Sequence, residues 1–286
     1  MRLSSLLVKA GFFGYPPSIS AALYTAGMTE GQAPQTDGRH CLGIDIGGSA
    51  LKGAVVDVDT GRIVGQRIEI ATPNPATPPA VAAAAAEIAS KADWRGPVGI
   101  ALPSVITRQV ARTAANIDPS WVGTDVAELF SGALDGQQVA VLNDADAAGL
   151  AEVSFGDGAA REGSVLFLTF GTGIGSAFLA DGVLFANTEL GHLLIDDTEA
   201  EHVASSAVRT HEGLSYEAWA RRVDTVLHEY ERLFSPTTFV VGGGISQDAD
   251  KWVPLLTVNA PVVPAHLRNS AGIVGAALAV HRDVAP

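Results

Sequence analysis

Leu42-Gly43-Ile44-Asp45-Ile46-Gly47-Gly48-Ser49-Ala50-Leu51-Lys52 is the stretch that decides how this chain folds. Leu42–Ile46 is an apolar run of strand length, and Gly47-Gly48 offers the positive φ that a sharp reversal can require. A second strand over Leu51–Val58, the turn Asp59-Thr60-Gly61 and a third strand over Arg62–Ile70 complete a β-meander. The same grammar returns later. Val165–Phe170 reads as a strand, Gly171-Thr172-Gly173 as a turn, Ile174–Leu179 as a strand and Ala180-Asp181-Gly182 as a hairpin turn into Val183–Phe185. Two copies of one supersecondary unit imply two similar lobes facing each other across a ligand cleft.

Outside the meanders, helices alternate with strands. Periodicity and end signals predict helices near Pro78–Ala92, Thr124–Ala133, Ala145–Val153, Ser215–Leu233 and Ala271–His281. Strands are expected at Val98–Leu102, Val139–Leu142 and Thr237–Val241, with the turn Gly242-Gly243-Gly244 and a further helix after the last. The fold class is therefore α/β. With 286 residues, 47% hydrophobic and 17% charged, the chain suits a globular core and not disorder. Lys and Arg number 18 against 31 Asp and Glu, a net charge of −13, so the surface repels nucleic acid and anionic membranes.

No window supplies the roughly eighteen apolar residues of a spanning helix, because the alanine-rich Val81–Ala92 carries Glu87 and Lys91. A lone cysteine, Cys41, forms no internal disulfide and rules out Cys-rich zinc sites, which fits a soluble cytoplasmic protein. Residues Met1–Arg39 are expected to be a loosely packed, dispensable tail. Leu6-Leu7-Val8 is cut short by Lys9 and Gly11, Tyr15-Pro16-Pro17 breaks any continuing helix, and Met28 is an alternative start.

Asp45 through Lys52 place a carboxylate, two glycines, a hydroxyl and a lysine in one hairpin. Glycines let backbone N–H groups approach phosphate oxygens, Asp45 can hold a hydrated Mg²⁺ and Lys52 adds positive charge, although an ordinary β-turn explains this octapeptide equally well. Thr169-Phe170-Gly171-Thr172-Gly173-Ile174-Gly175-Ser176 is a second such hairpin, and its pairing with the first across the repeat suggests a phosphate clamp. Its Gly-x-Gly-x-Gly order without an immediate helix disfavours a dinucleotide loop, and no G-x-x-x-x-G-K-[ST] run exists.

Leu142-Asn143-Asp144-Ala145-Asp146 ends a strand and opens a helix, where all three polar residues can cap the helix or one carboxylate can face the cleft as a base. Glu189 and His192 lie three apart, on one side of a helical turn, and together offer the donors and acceptors that a polyhydroxylated ligand needs. His202 and His211 are near in sequence, but no H-x-x-x-H spacing or cysteine pair accompanies them, so zinc is not expected.

These motifs resemble the ROK family of sugar kinases, within the acetate-and-sugar-kinase and actin superfamily, over about Cys41 to Val280. Thr113-Ala114-Ala115-Asn116-Ile117-Asp118-Pro119-Ser120-Trp121, Leu168 to Ala177 and Asn187-Thr188-Glu189-Leu190-Gly191-His192 resemble the family's inorganic polyphosphate-using glucokinases and glucomannokinases. The resemblance implies a two-lobed actin-like α/β fold with duplicated lobes and a central cleft. It assigns residues 40–142 with 271–286 to one lobe and 143–270 to the other.

By the same resemblance, Asp144 is the base that takes the sugar 6-hydroxyl proton, and Asn116, Asn143, Glu189, His192 and Glu201 bind the sugar. Gly47, Gly48, Ser49 and Lys52, with Thr169, Gly171, Thr172 and Gly173, hold phosphates; Gly242, Gly243, Gly244 and Ile245 line the nucleotide pocket; Asp45 holds Mg²⁺ through water. Three departures stand out. Ser49 replaces a usual threonine, Ser104 replaces a common glycine in the sugar-side loop, and the family's zinc-binding cysteines are missing, so His192 is expected to serve the sugar and no structural zinc.

The expected activity is phosphoryl transfer from polyphosphate or ATP to glucose, with mannose as a second acceptor and an oligomer left open. The alternatives are an ATP-only glucokinase, an actin-type ATPase without a sugar, and a sugar-responsive ROK transcription regulator. Against the last stand the acidic charge, the retained Asp144 and a Pro16-Pro17 break too early for an N-terminal winged helix-turn-helix.

Overall fold

The computed structural model describes residues 38–114 and 117–286 of the chain. The expected tail, Met1–Arg39, lies almost wholly outside the described residues, and so does the candidate Asn116. The first half contains β1 (His40–Ile46), β2 (Ala50–Asp57), β3 (Arg62–Ala71), α1 (Pro78–Lys91), β4 (Val98–Leu102), the short hairpin β5 (Ile106–Thr107) and β6 (Val110–Ala111), α2 (Val126–Ala133), β7 (Val139–Asn143) and α3 (Asp144–Phe155). Then come β8 (Ser164–Phe170), β9 (Ile174–Ala180), β10 (Val183–Phe185), the hairpin β11 (Leu194–Ile195) and β12 (Thr198–Glu199), α4 (Ala200–Ala204), α5 (Ser206–His211) and α6 (Tyr216–Phe234). The chain ends through β13 (Thr238–Gly242), α7 (Ala249–Trp252), β14 (Val262–Pro264) and α8 (Ala271–His281).

The repeat read from the sequence is real. One sheet has the order β3-β2-β1-β4-β7 and the other β10-β9-β8-β13-β14, each an antiparallel meander extended by two parallel strands. Alternation along β1 sends Cys41 to the face shared with α3 and α8, and Leu42, Ile44 and Ile46 to the face covered by α1 and α2. On the second sheet, α6 closes the outer face. Ser215 caps its N-terminus by accepting from Ala218 N–H at 3.2 Å, and Trp219, Val223, Val226, Leu227 and Tyr230 form its buried stripe. The layers are thus helix, sheet, the α3–α8 pair, sheet, helix.

The principal helices and strands run within a residue or two of their expected limits, with one difference in type. After Gly242-Gly243-Gly244 the chain makes a 3-10 turn over Gly244–Asp248 and only then the single α turn of α7. The role of the turn glycines also differs from expectation. Gly47, Gly48, Gly171 and Gly173 have no positive φ, whereas Gly61, Gly182 and Gly243 do. Space, not handedness, governs Gly173, where a Cβ would strike the Glu201 carboxylate.

α8 is buried on nearly every side because it runs between the sheets with its backbone in contact with other backbones. A Cβ on Gly275 would enter the carbonyl of Ala147 in α3, and one on Gly99 of β4 would enter the carbonyl of Ala276. We expect Gly275→Ala to destabilise the fold by about 1–3 kcal/mol, as overpacking a rigid contact does. A denaturant midpoint equal to that of the parent would show that α3 and α8 can part without cost.

Candidate active site

α3 begins where β7 ends, and the junction is fixed by Asn143. Its Oδ1 accepts from the N–H groups of Ala145 (2.8 Å) and Asp146 (3.2 Å), while its Nδ2 donates to the Ser104 carbonyl at 3.3 Å. Asn143 therefore is the helix cap, and its remaining amide N–H is what it can offer a ligand. Asp144 follows at the first helical position, its Oδ1 accepting from Ala145 N–H at 2.9 Å. Burial pushes its carboxyl up to about 6; the Ala145 N–H opposes the shift and the Asp45 and Glu189 carboxylates add to it.

Two cavities meet at this residue. One, of about 490 Å³, and another, of about 210 Å³, share Asp144, Ala145 and Thr169 in their walls. The larger is lined by Ser104, Asn143, Glu189, His192 and Glu201, together with the Gly171-Thr172-Gly173 turn. The smaller is lined by Asp45, Lys52, Gly242-Gly243-Gly244 and Arg268.

In the larger cavity a 3-10 turn over Leu190–His192 is pinned from below. Tyr230 donates its hydroxyl to the Leu190 carbonyl at 2.7 Å, and Ser176 Oγ accepts from Leu190 N–H at 3.0 Å. His192 Nδ1 lies 3.2 Å from Glu199 Oε2 and 3.9 Å from Glu201 Oε1, and its Nε2 lies 3.9 Å from Glu189 Oε2. The Glu199 contact raises the His192 pKa, and burial raises that of Glu189. Glu201 Oε2 accepts from Ile174 N–H at 3.2 Å, which ties it to the glycine turn. His192, Glu199 and Glu201 each place a ligand atom within 4.8 Å of the others, so these three groups are close enough to share a cation.

The smaller cavity has a different character. Asp45 and Lys52 are paired in register across β1 and β2, and Asp45 packs against the start of α8, where a Cβ on Gly272 would lie 2.8 Å from its Cγ. Burial raises the Asp45 pKa, against the opposing charges of Lys52 and Arg67. Arg268 has φ +49 and sits in a segment held by the buried Glu152 of α3, whose carboxylate accepts from His266 and Leu267 N–H at 2.9 and 2.7 Å. Among the described residues, Lys52 and Arg268 are the cations in this wall.

Most of the predicted site residues converge on these two cavities. Gly47, Gly48 and Ser49 do not line either one, and Ile245 packs against the core beneath α6. Arg268 and Tyr230 carry no recognisable sequence signal, since each depends on a contact between segments far apart in the chain, and Ser176 of the second glycine hairpin gives no sign of its bond to Leu190.

A ROK family model matches residues 41–205. The chain is similar to the polyphosphate glucokinase of Mycobacterium tuberculosis (strain CDC 1551 / Oshkosh), 53% identical over 248 residues that cover 87% of this chain and 94% of that protein. Its fold matches the inorganic polyphosphate/ATP-glucomannokinase of Arthrobacter sp. strain KM with a TM-score of 0.79 and 46% identity, over 85% of this chain and 99% of that one. A ROK family glucokinase from Streptomyces griseus, solved with glucose and AMPPNP, matches with a TM-score of 0.69 and 25% identity over 83% and 98% of the two chains.

A carboxyl pushed up to about 6 can accept a proton only when ionised, so if Asp144 is the base, turnover should fall as pH drops through about 6. Asp144→Asn should lower kcat by about 10²–10⁴-fold and leave sugar affinity within a few-fold, because the amide still hydrogen-bonds. A pH–rate profile of both proteins checks this, and an active Asp144→Asn enzyme would remove Asp144 from the role of base.

Proposed function

The chain belongs to the ROK family, and from that premise we propose that it phosphorylates glucose on its 6-hydroxyl, and mannose as a second acceptor, using inorganic polyphosphate or ATP. The observation that carries this reading is the meeting of two cavities at one half-buried carboxylate with a raised pKa. A hydroxyl approaching Asp144 from the larger side and a phosphoryl group from the smaller side would meet beside Ala145 and Thr169.

In this reading the larger cavity takes the sugar. Glu189 and Glu201 accept from ring hydroxyls, His192 and the free N–H of Asn143 donate, and Asn116 adds a further contact. Asp144 takes the 6-hydroxyl proton as the oxygen attacks the donor's terminal phosphorus, whose bridging P–O bond breaks to release the shortened polyphosphate or ADP. Positioning and charge neutralisation supply most of the rate in such a transfer, because the transition state is loose.

The smaller cavity takes the donor. At the junction, Thr169, shared by both walls, holds the transferring group with the Gly171-Thr172-Gly173 turn of the larger cavity; Lys52 and Arg268 face donor phosphates, and Gly242-Gly243-Gly244 with Ile245 behind them accommodates a base. The turn Gly47-Gly48-Ser49 would reach the phosphates only on closure of the lobes, which we place at 40–142 with 271–286 and at 143–270. A hard, oxygen-ligated ion suits Asp45, an acidic oxygen in a polar wall that leaves room for water. Mg²⁺ held there would neutralise donor charge. No helix among the described residues is long and apolar enough to cross a membrane, in keeping with a cytoplasmic enzyme.

The two donors differ in what they ask of the wall. Polyphosphate needs cations along its length, whereas ATP needs the base pocket. Gly243 is a poor handle on that pocket, because at φ +83 it stands against the Phe170 carbonyl, but a Cβ on Gly244 would meet nothing within 4 Å. Gly244→Val should therefore lower kcat/KM for ATP by about tenfold or more and spare polyphosphate. Raising salt should weaken polyphosphate use more steeply than ATP use. A coupled assay with both donors across a salt series decides it; parallel slopes and equal losses would favour an ATP-type glucokinase.

A further inference from the structure

Asp146 is fully buried, yet only one of its carboxyl oxygens has a partner. Oδ2 accepts from Asn187 N–H at 2.8 Å, and Oδ1 has none. Asn187 in turn bonds both ways with the backbone of Ile106: its Oδ1 accepts from Ile106 N–H at 2.9 Å and its Nδ2 donates to the Ile106 carbonyl at 2.7 Å. It holds the left-handed backbone, φ +62, to do so. Ile106 is completely buried and opens β5.

The residues flanking this contact are the two walls of the larger cavity. Ser104 and Val105 immediately precede Ile106, and Thr188 and Glu189 immediately follow Asn187. We propose that Asp146 is a positioning residue, which sets the width of the sugar cavity by holding Asn187 as a clasp between the Ser104–Val105 loop and Glu189. The inference rests on the reading that this cavity takes the sugar. A sugar ring must be met by donors and acceptors on both walls at once, so a shift of the order of 1 Å between them is costly.

The character of Asp146 suits that task. Burial pushes its carboxyl up to about 7; the Asn187 N–H opposes this, and the Glu189 and Asp144 carboxylates push the same way. A neutral side chain that keeps one carbonyl oxygen can therefore do the same work, whereas a truncated one leaves the Asn187 N–H buried without a partner.

Steady-state kinetics on Asp146→Ala, Asp146→Asn and Asn187→Gly, together with amide hydrogen exchange, test the clasp. Asp146→Ala should raise the glucose KM by about tenfold while the donor KM stays within about twofold, and Asp146→Asn should return the glucose KM to within about threefold of the parent. Asn187→Gly keeps the backbone conformation and removes the clasp, so it should reproduce the alanine variant and stands in for it should that variant fail to fold. Ile106 N–H should lose exchange protection in both damaged variants and keep it in Asp146→Asn. An Asp146→Asn enzyme as impaired as Asp146→Ala, equal changes in the glucose and donor KM, or unaltered Ile106 protection would overturn the proposal. A parent without sugar phosphorylation would overturn the functional reading instead, and the exchange data would still judge the clasp.

Discussion

The close approach of α8 to α3 and to the first sheet governs the rest of the molecule. At Gly275 the helix backbone touches the Ala147 carbonyl, and at Gly43 and Gly99 the strands touch the carbonyls of Ile273 and Ala276. Backbone-to-backbone contact leaves no side chain to adjust, so the spacing between these layers is set more rigidly than ridge-and-groove packing would set it. α3 is held on its other side too, since a Cβ on Gly149 would lie 2.7 Å from that of Ala177 in β9. The start of α3, and with it Asp144, is consequently a fixed point between the sheets.

That fixed point gathers like charge. Asp45, Asp144, Asp146 and Glu189 come together in a chain already at −13, and burial raises the pKa of all four. Desolvation is the largest cause in each case; repulsion within the four adds to it for Asp144 and Asp146, and repulsion from Glu201 adds to it for Glu189. A protein gains no stability from such a cluster. Its presence is intelligible where proton acceptance and cation binding are the function, because both need carboxylates poised near neutrality or facing a cation. Lys52 and Arg268 line the smaller cavity alone and offset its carboxylates Asp45 and Asp144, whereas the larger cavity gathers Asp144, Glu189 and Glu201 with no Lys or Arg among the described residues of its wall.

The parts of this arrangement that could be read from the sequence are those encoded locally. Each copy of the duplicated meander, the cap at Asn143 and the turn carrying Glu189 and His192 are all written in contiguous stretches of chain, and each has the expected place in the structure. What escaped was non-local. The hairpin Ile106 to Ala111 is only two residues per strand, too short for a periodicity, and its partner Asn187 is 81 residues away. Glycine was misread at the Gly47-Gly48 turn because a small residue is used for two reasons, and sequence does not distinguish positive φ from crowding. At Gly173 the reason is the Glu201 carboxylate, which arrives from α4.

α3 also explains how two unlike cavities stay in register with one reacting group. Near its start, Asp146 reaches the wall of the larger cavity through Asn187; nearly two turns further on, Glu152 reaches the segment beside the smaller cavity through the N–H groups of His266 and Leu267. Between Asp144 and Glu152 the helix rises about 12 Å at 1.5 Å per residue, so one rigid rod spans both cavities. Both attachments are hydrogen bonds from backbone N–H to a buried carboxylate, the kind whose loss leaves an unpartnered polar group and which are therefore kept. Motion of the sheets about the cleft would carry Asn187 and Arg268 with the helix that holds them. The geometry between Asp144 and the walls of the two cavities then depends on α3 itself, and the outer elements are free to differ in how tightly they close.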